Sequence, residues 1–185
     1  MFMTIIGGTD HSEATALPAG YHDEHWYAVQ TCANHEKRVL QQLNQRTVEA
    51  YLPLYDSVRR WKDRRVRLEM PLFPGYVFVH LALCDRLQVL QAPGVARLVG
   101  FGGQPAALPD QEIETLRQGL AREMRVEPHQ YLKVGRRVRV RTGPLQGLEG
   151  ILVRKKKLSR FVISLDLIMR SVAVEIDEAD LETAR

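Results

Sequence analysis

The chain has few of the residues that mark secreted, membrane or metal-binding proteins. Its 185 residues include only two cysteines, Cys32 and Cys84, which match no zinc or redox-pair spacing. The sequence does not open with a basic segment followed by an apolar one, and no apolar run approaches the length of a membrane span. These absences predict a reduced, cytoplasmic protein that binds no metal, cofactor or membrane.

Groups capable of catalysis are scattered along the sequence. His35 and Glu36 stand at a predicted helix start, Asp63 lies in a basic segment, and His80 lies on an apolar strand. No Ser-His-Asp set, paired carboxylates or metal-ligand spacing brings such groups together. We therefore expect a binding protein and not an enzyme.

Charge is distributed unevenly along the chain. The totals of 26 basic and 22 acidic residues give a net charge of +4, a mild bias toward polyanionic partners. Residues 1–24 contain four acidic and no basic residues, whereas residues 133–185 contain 12 basic and seven acidic residues. Because the first 24 residues also lack hydrophobic periodicity, they are predicted to be a disordered tail.

The most structured stretch runs from 71 to 81, Pro-Leu-Phe-Pro-Gly-Tyr-Val-Phe-Val-His-Leu. Residues 76–81 are bulky at both alternating sets of positions, which predicts a central strand covered on two faces. The prolines and Gly75 predict a rigid corner before this strand. Phe73 at this corner is therefore either a plug of the core or part of a docking surface. In the second case Phe73, Tyr76 and Tyr27 are expected to form an exposed apolar patch, because aromatic side chains commonly anchor interfaces.

Residues 25–120 are predicted to form an α+β domain. Strands and helices alternate there in the order β-α-β-β-β-α-β-α, with one helix from Asn34, its predicted N-cap, to Gln45 and a last helix starting at Asp110. This order is typical of an antiparallel sheet flanked by helices.

A basic hairpin is predicted between residues 58 and 70, where six of thirteen residues are Lys or Arg and Trp61 lies among them. One polar face of the first helix would add to it. Together these are the candidate nucleic-acid contacts: His35, Arg38, Gln42, Arg59, Arg60, Lys62, Arg64 and Arg65. The alternative is a solvated, charged edge that prevents aggregation.

The pattern changes after residue 120. Residues 121–132 alternate charges, lack an apolar period and contain Pro128, which predicts a linker. Residues 133–182 contain four or five short alternating segments separated by glycine-containing turns. This spacing predicts a small all-β barrel.

Three motifs of the first domain resemble those of NusG-type transcription elongation factors. They are Trp26-Tyr-Ala-Val29 before the first helix, Leu72-Phe-Pro-Gly-Tyr-Val-Phe-Val79, and the segment from Pro93-Gly-Val95 to Gly100-Phe101. Residues 134–151 are similar to the KOW motif that opens the SH3-like C-terminal barrel of these factors. The resemblance covers about residues 25–182, with an NGN-like domain followed by a KOW domain.

The resemblance implies a bacterial factor that binds RNA polymerase, suppresses pausing and promotes processive elongation and antitermination. Its N-terminal domain would dock on the polymerase clamp helices, and the residues implied are Tyr27, Phe73, Pro74, Gly75 and Tyr76. The basic hairpin and the polar helix face would contact the non-template DNA strand. A housekeeping NusG protein, or a KOW protein that binds RNA or the ribosome, is the alternative.

Two departures from housekeeping NusG favour a specialised paralogue of the UpxY or RfaH type, serving long operons such as those for polysaccharides. The first is the strongly basic segment with Trp61. The second is the sequence of the apolar tail and of the strands, which looks more like that of these paralogues. In the KOW partner surface Ile168, Met169 and Arg170, Ile168 replaces the family's phenylalanine in Ile-Phe-Gly-Arg. We therefore expect weaker engagement of termination factor Rho, while ribosome binding stays open. Unlike RfaH, this barrel is expected not to refold into helices, since its glycines, Pro144 and β-branched residues disfavour them.

Overall fold

A computed structural model describes residues 21–61, 64–121, 126–129, 135–143, 145–155, 158–176 and 178–184. The N-terminal part contains nine strands and three helices among these residues. They are β1 (Glu24–Thr31), α1 (Glu36–Gln45), β2 (Glu49–Tyr51), β3 (Leu54–Trp61), β4 (Arg64–Pro71), β5 (Tyr76–Ala82), α2 (Arg86–Leu90), β6 (Val95–Leu98), β7 (Gly100–Phe101), β8 (Gln104–Pro105), β9 (Ala107–Leu108) and α3 (Asp110–Ala121).

The N-terminal sheet has the order β2-β5-β1-β6, and β9 also pairs with β1. All of these pairings are antiparallel. Strand β5 is buried at nearly every position, as its run of bulky residues predicts. The predicted α+β arrangement with flanking helices is therefore confirmed for this part of the chain.

The two faces of this sheet have different covers. Tyr27 and Val29 of β1 point to a core formed with α1 and α2, which contribute Val39, Leu43 and Val89. Trp26 and Ala28 alternate with them along β1 and belong to the other core. We call the first the helix-covered face and the second the aromatic face.

The C-terminal part is a six-stranded antiparallel sheet in the order β10-β14-β13-β12-β11-β15. Its strands are β10 (Val126–His129), β11 (Arg136–Val140), β12 (Glu149–Lys155), β13 (Leu158–Leu165), β14 (Arg170–Glu175) and β15 (Leu181–Thr183). Strands β12, β13 and β14 all lie between residues 149 and 175, which confirms the predicted strands for the described residues that they contain.

Two of the predicted segment boundaries need correction. The predicted linker, residues 121–132, includes strand β10, whose Pro128 is tolerated because β10 is an edge strand that, among the described strands, pairs with β14 alone. The predicted tail ends earlier than residue 24, because the Cys84 N–H donates to the Tyr21 carbonyl at 3.2 Å. Arg86 also lies 5.5 Å from the centroid of the Tyr21 ring. Residues 1–20 lie outside the described residues.

The predicted N-cap of the first helix also needs correction. His35, not Asn34, occupies that position, and no side chain caps it. Asn34 has a φ of +60°, a left-handed conformation that asparagine tolerates better than most residues. Asn34 therefore turns the chain before α1 instead of capping it.

Candidate functional site

The predicted corner is a tight turn formed by residues 73–76. The Tyr76 N–H donates to the Phe73 carbonyl at 3.1 Å, and Gly75 has a φ of +86°. Proline at the second position and glycine with positive φ at the third are the signature of a type II turn. A Cβ built on Gly75 would meet no atom within 4 Å, so its conformation and not lack of space requires glycine. This confirms the predicted corner.

The expectation of an exposed patch at this corner is wrong. Phe73 is 1% exposed and Tyr27 is 2% exposed, whereas Tyr76 is half-buried and Pro74 is exposed. Phe73 packs edge to face on Phe78, with ring centroids 5.6 Å apart. Tyr27 lies in the core of the helix-covered face, while Phe73 and Tyr76 pack on the aromatic face. The three aromatic residues therefore cannot form one patch.

The aromatic face is named for the side chains that are concentrated on it. Trp26, Phe73 and Phe78 belong to its buried core, and Tyr51 and Tyr76 pack against that core. Helix α3 lies over part of this face through Ile113 and Leu116. This face holds the largest concentration of aromatic groups in the described N-terminal part.

Arg117 fastens α3 to the aromatic face. Its Cζ lies 5.5 Å from the ring centroids of both Trp26 and Tyr51. Its Nη1 lies 2.8 Å from Oε1 of Glu49 on β2. Burial, opposed by Arg117, raises the pKa of Tyr51 far above its ordinary value. Cation–π contacts and an ion pair together make α3 an integral part of the N-terminal fold.

The C-terminal sheet shares the core of the aromatic face. Phe161, Leu165 and Ile168 belong to the same buried cluster as Trp26 and Phe73. At the start of α3, a Cβ built on Gly147 would lie 3.4 Å from Nε2 of Gln111. Burial, together with the nearby Asp166, raises the pKa of Glu112. The aromatic face is thus covered from the same chain.

The corner is also held by a buried carboxylate, that of Glu36. Glu36 in the first turn of α1 is 6% exposed, and its Oε1 accepts a hydrogen bond from the Gly75 N–H at 2.8 Å. The Gly75 carbonyl accepts a hydrogen bond from the Thr31 N–H at 2.9 Å. Both backbone polar groups of Gly75 are therefore bound, one to the last residue of β1 and the other to the first residue of α1.

The predicted basic hairpin is present as strands β3 and β4, which form a two-stranded sheet of their own. Its register pairs Arg60 with Arg65 and Trp61 with Arg64. Arg64 and Arg65 are exposed, and Lys62 lies outside the described residues. The structure thus brings four of the five predicted arginine and lysine positions to one end of this ribbon.

Among the described residues of the ribbon, unpaired positive charge lies toward that end. Arg67, closer to the base, lies 3.8 Å from Asp56, and Glu69 lies 3.7 Å from Lys37 of α1. In the part of the chain that the structure describes, neither Arg64 nor Arg65 has an acidic side chain within ion-pair distance. The outer half of the hairpin therefore carries positive charge that no described acidic side chain neutralises.

The polar helix face is only partly available. Arg38 is exposed and Gln42 is half-buried. His35 packs against the turn before β6, because a Cβ built on Gly94 would lie 3.3 Å from the Cβ of His35. Its Nδ1 lies 2.9 Å from the Ala33 carbonyl. Arg38 is the member of this set that is best placed for an external contact.

The predicted C-terminal partner surface is also only partly exposed. Ile168 is 4% exposed, and Met169 is 64% exposed with a left-handed φ of +50°. Arg170 is exposed as well. The expectation that Ile168 offers apolar contact area is wrong for this arrangement, because its side chain belongs to the shared core.

Sequence reasoning missed the structural roles of Glu36 and Arg117. Glu36 stands three and seven residues before Val39 and Leu43, so it occupies the buried side of α1. An acidic residue in an apolar stripe of this kind signals a buried partner. No comparable signal marks Arg117, whose partners come from β1 and β2.

A comparison with known proteins identifies the family. The model of the NusG family, described as transcription termination factor nusG, matches residues 24–117. The chain belongs to the NusG family. The NusG transcription termination/antitermination protein of Lactococcus lactis is 28% identical over 183 residues, covering 86% of this chain and 93% of the relative. The Escherichia coli K12 protein of the same name is 28% identical over 174 residues, covering 86% and 96%.

A solved structure supports the NusG fold. The structure titled "Domain interaction in Thermotoga maritima NusG" aligns with a TM-score of 0.57 and 22% identity, covering 90% of this chain and all of that chain. At that identity the likeness concerns the fold alone. Within the described residues, no helix is long and apolar enough to span a membrane.

Proposed function

We propose that this NusG-family protein is a cytoplasmic transcription elongation and antitermination factor that binds RNA polymerase through its aromatic face. The observation that carries this proposal is the concentration of aromatic residues around the Phe-Pro-Gly-Tyr corner. Trp26, Phe73, Tyr76 and Phe78 lie on one side of a sheet that does not need them for its own helix-covered core. Aromatic clusters of this type supply most of the affinity in interfaces. The surface bound would be the clamp helices, with Pro74 and Gly75 at its rim.

The C-terminal sheet acts, in this proposal, as a removable cover of the docking face. Phe73 is buried in a cluster that includes residues such as Phe161 and Ile168. The solved structure of Thermotoga maritima NusG is described as one of a domain interaction, which is consistent with a cover of this kind. Polymerase would compete with the C-terminal sheet for the same apolar surface. This replaces the simpler expectation of a face that is always exposed.

The hairpin would contact the non-template DNA strand. Arg64 and Arg65 carry charge that the described acidic side chains do not neutralise, and Arg59, Arg60 and Lys62 lie in the same part of the sequence. Unpaired cations on a protruding ribbon favour phosphate contacts without base specificity. Arg38 on α1 would extend this surface, with smaller contributions from Gln42 and His35.

The C-terminal sheet would be a KOW-type barrel with a partner surface at Ile168, Met169 and Arg170. Once the cover separates from the aromatic face, Ile168 becomes available for an apolar contact such as one with the ribosome. Rho recruitment would be weaker than for a protein with phenylalanine at this position, since an aliphatic side chain offers less rigid contact area. This surface and the basic hairpin favour a specialised paralogue for long operons over a housekeeping factor.

A pull-down from bacterial lysate, with and without nuclease treatment, tests the proposal. Tagged protein should retain RNA polymerase subunits after nuclease treatment, because the aromatic face binds protein. Retention of ribosomes or RNA that disappears with nuclease, and no polymerase in either arm, would favour an RNA- or ribosome-binding KOW protein instead. If the wild-type protein retains little polymerase, an Ile168→Glu variant serves as a second bait, because this substitution should loosen the contact between the C-terminal sheet and the aromatic face.

A further inference from the structure

Two neighbouring residues of α1 contact the two surfaces that are proposed to bind transcription components. Glu36 accepts the hydrogen bond from the Gly75 N–H at the corner, 2.8 Å away. Lys37 lies 3.7 Å from Glu69 on strand β4 of the hairpin. The chain passes from β4 directly into the corner, and the Leu72 N–H donates to the Pro53 carbonyl at the hairpin base. The start of α1 thus lies between the corner and the hairpin.

The two contacts differ greatly in strength. Lys37 and Glu69 have side chains that are 54% and 67% exposed, and exposed ion pairs of this type stabilise little. Glu36 is 6% exposed, and its hydrogen bond joins a carboxylate to a backbone amide. Charge-assisted hydrogen bonds away from water are among the stronger polar contacts in proteins. The first turn of a helix also favours a negative charge.

Gly75 depends on this acceptor. Its amide is the third-position N–H of the turn, a group that the turn's own hydrogen bond, from Tyr76 to Phe73, does not use. Even in a part-buried site, an N–H without an acceptor is costly, so the turn would shift if Glu36 were replaced by a residue with no acceptor. The displacement would reach Phe73, Pro74 and Tyr76, which are the other three residues of the turn.

We propose that Glu36 is the positioning residue of the polymerase-docking corner. Through the Gly75 amide it holds the turn in the conformation in which Pro74 and Tyr76 lie at the edge of the aromatic face. A corner that is ordered before binding does not lose conformational entropy during binding, which increases affinity. This inference rests on the proposed function, because it requires that the aromatic face binds polymerase.

The test compares four variants of the full chain in binding to core RNA polymerase. Glu36→Ala should weaken binding on the order of tenfold, because the corner must then be ordered during association. Glu36→Gln keeps an acceptor oxygen at the same distance along the side chain and should restore affinity to within about threefold. Lys37→Ala is the matched control and should bind like wild type. Tyr76→Ala tests the docking face itself.

The Gly75 amide signal in a proton–nitrogen NMR spectrum supplies a readout that general destabilisation does not reproduce. A hydrogen-bond acceptor deshields an amide proton, so the signal should move upfield in Glu36→Ala and much less in Glu36→Gln. If Glu36→Ala does not fold, Glu36→Asp replaces it, since the shorter side chain keeps the charge but withdraws the acceptor.

The outcomes separate failure of the inference from failure of the proposed function. Weakened binding by Tyr76→Ala, with unchanged binding by a folded Glu36→Ala whose Gly75 signal has moved, would overturn the positioning role alone. Unchanged binding by Tyr76→Ala would overturn the docking face. A Glu36→Gln variant as weak as Glu36→Ala would also overturn the inference, because the side-chain oxygen of glutamine can accept the same hydrogen bond from the Gly75 N–H.

Discussion

The helix-covered face and the aromatic face are built from alternate residues of the same strands, yet they are covered in different ways. Val77 and Val79 of β5 pack with α1 and α2, which lie within the same N-terminal fold. Phe78 between them packs in a core that continues into the C-terminal sheet. The first cover cannot leave without unfolding, whereas the part of the second cover that the C-terminal sheet supplies, in our proposal, separates as a unit. A protein built in this way hides a binding surface on one face and keeps its stability on the other.

The largest expected effect concerns the helix-covered face. Leu43→Ala removes a fully buried side chain of α1 and should lower the free energy of unfolding by about 2–5 kcal/mol. Urea denaturation followed by circular dichroism measures this. Leu87→Ala on α2, at a side chain that is 59% exposed, is the control and should change stability by less than about 0.5 kcal/mol. If both variants lowered the free energy of unfolding by the same amount, the helix-covered core would not be the main source of stability.

On the aromatic face, Tyr76→Ala should reduce binding to RNA polymerase by about 2 kcal/mol while leaving the fold intact, because Tyr76 is only half-buried. Phe73→Ala is less suitable, since removal of a buried phenylalanine should itself destabilise the fold by about 3–5 kcal/mol. Affinity is measured by biolayer interferometry on immobilised polymerase. Phe101→Ala, at a side chain 72% exposed on the β7–β8 hairpin, is the aromatic control and should bind normally.

The hairpin prediction distinguishes unpaired from paired arginines. Replacing Arg64 and Arg65 with glutamine should weaken crosslinking to non-template DNA in the elongation complex. The slope of log affinity against log salt should fall by about one for each phosphate that the variant no longer binds. Arg67→Gln is the control, because Arg67 already faces Asp56, and its effect should be smaller. Unaltered crosslinking in the double variant would leave the hairpin as a solvated edge.

The smallest expected effect concerns the contact between α3 and the C-terminal sheet. Burial and Asp166 raise the pKa of Glu112 above its ordinary value of 4.5, so its protonated form is favoured in the folded state. Wild-type stability should therefore decrease as pH rises through that raised pKa. Glu112→Gln should be more stable than wild type at neutral pH, and the difference should vanish below about pH 4. Thermal unfolding at several pH values measures this, and a gap that persists in acid would contradict it.

Much of the N-terminal fold could be predicted because its signals are local. The run of bulky residues in β5, the helix that ends at Gln45 and the glycine of the corner each depend on residues close in sequence. The burial of Phe73 could not be predicted, since Phe73 belongs to a cluster that includes residues far along the chain, such as Phe161. The sequence indicates that Phe73 stands at a corner but not what packs on it. The structural role of Arg117 could not be predicted for the same reason, because its partners on β1 and β2 are far away in the sequence.

The measurement that tests the removable cover most directly compares Ile168→Glu with Met169→Glu in binding to RNA polymerase. A carboxylate at the buried Ile168 should disrupt the contact with the aromatic face, whereas one at the neighbouring, exposed Met169 should not. We expect Ile168→Glu to bind on the order of tenfold more tightly than wild type, because affinity rises with the fraction of binding-competent molecules. Met169→Glu should bind like wild type. A folded Ile168→Glu variant with unchanged or weaker affinity would contradict the account.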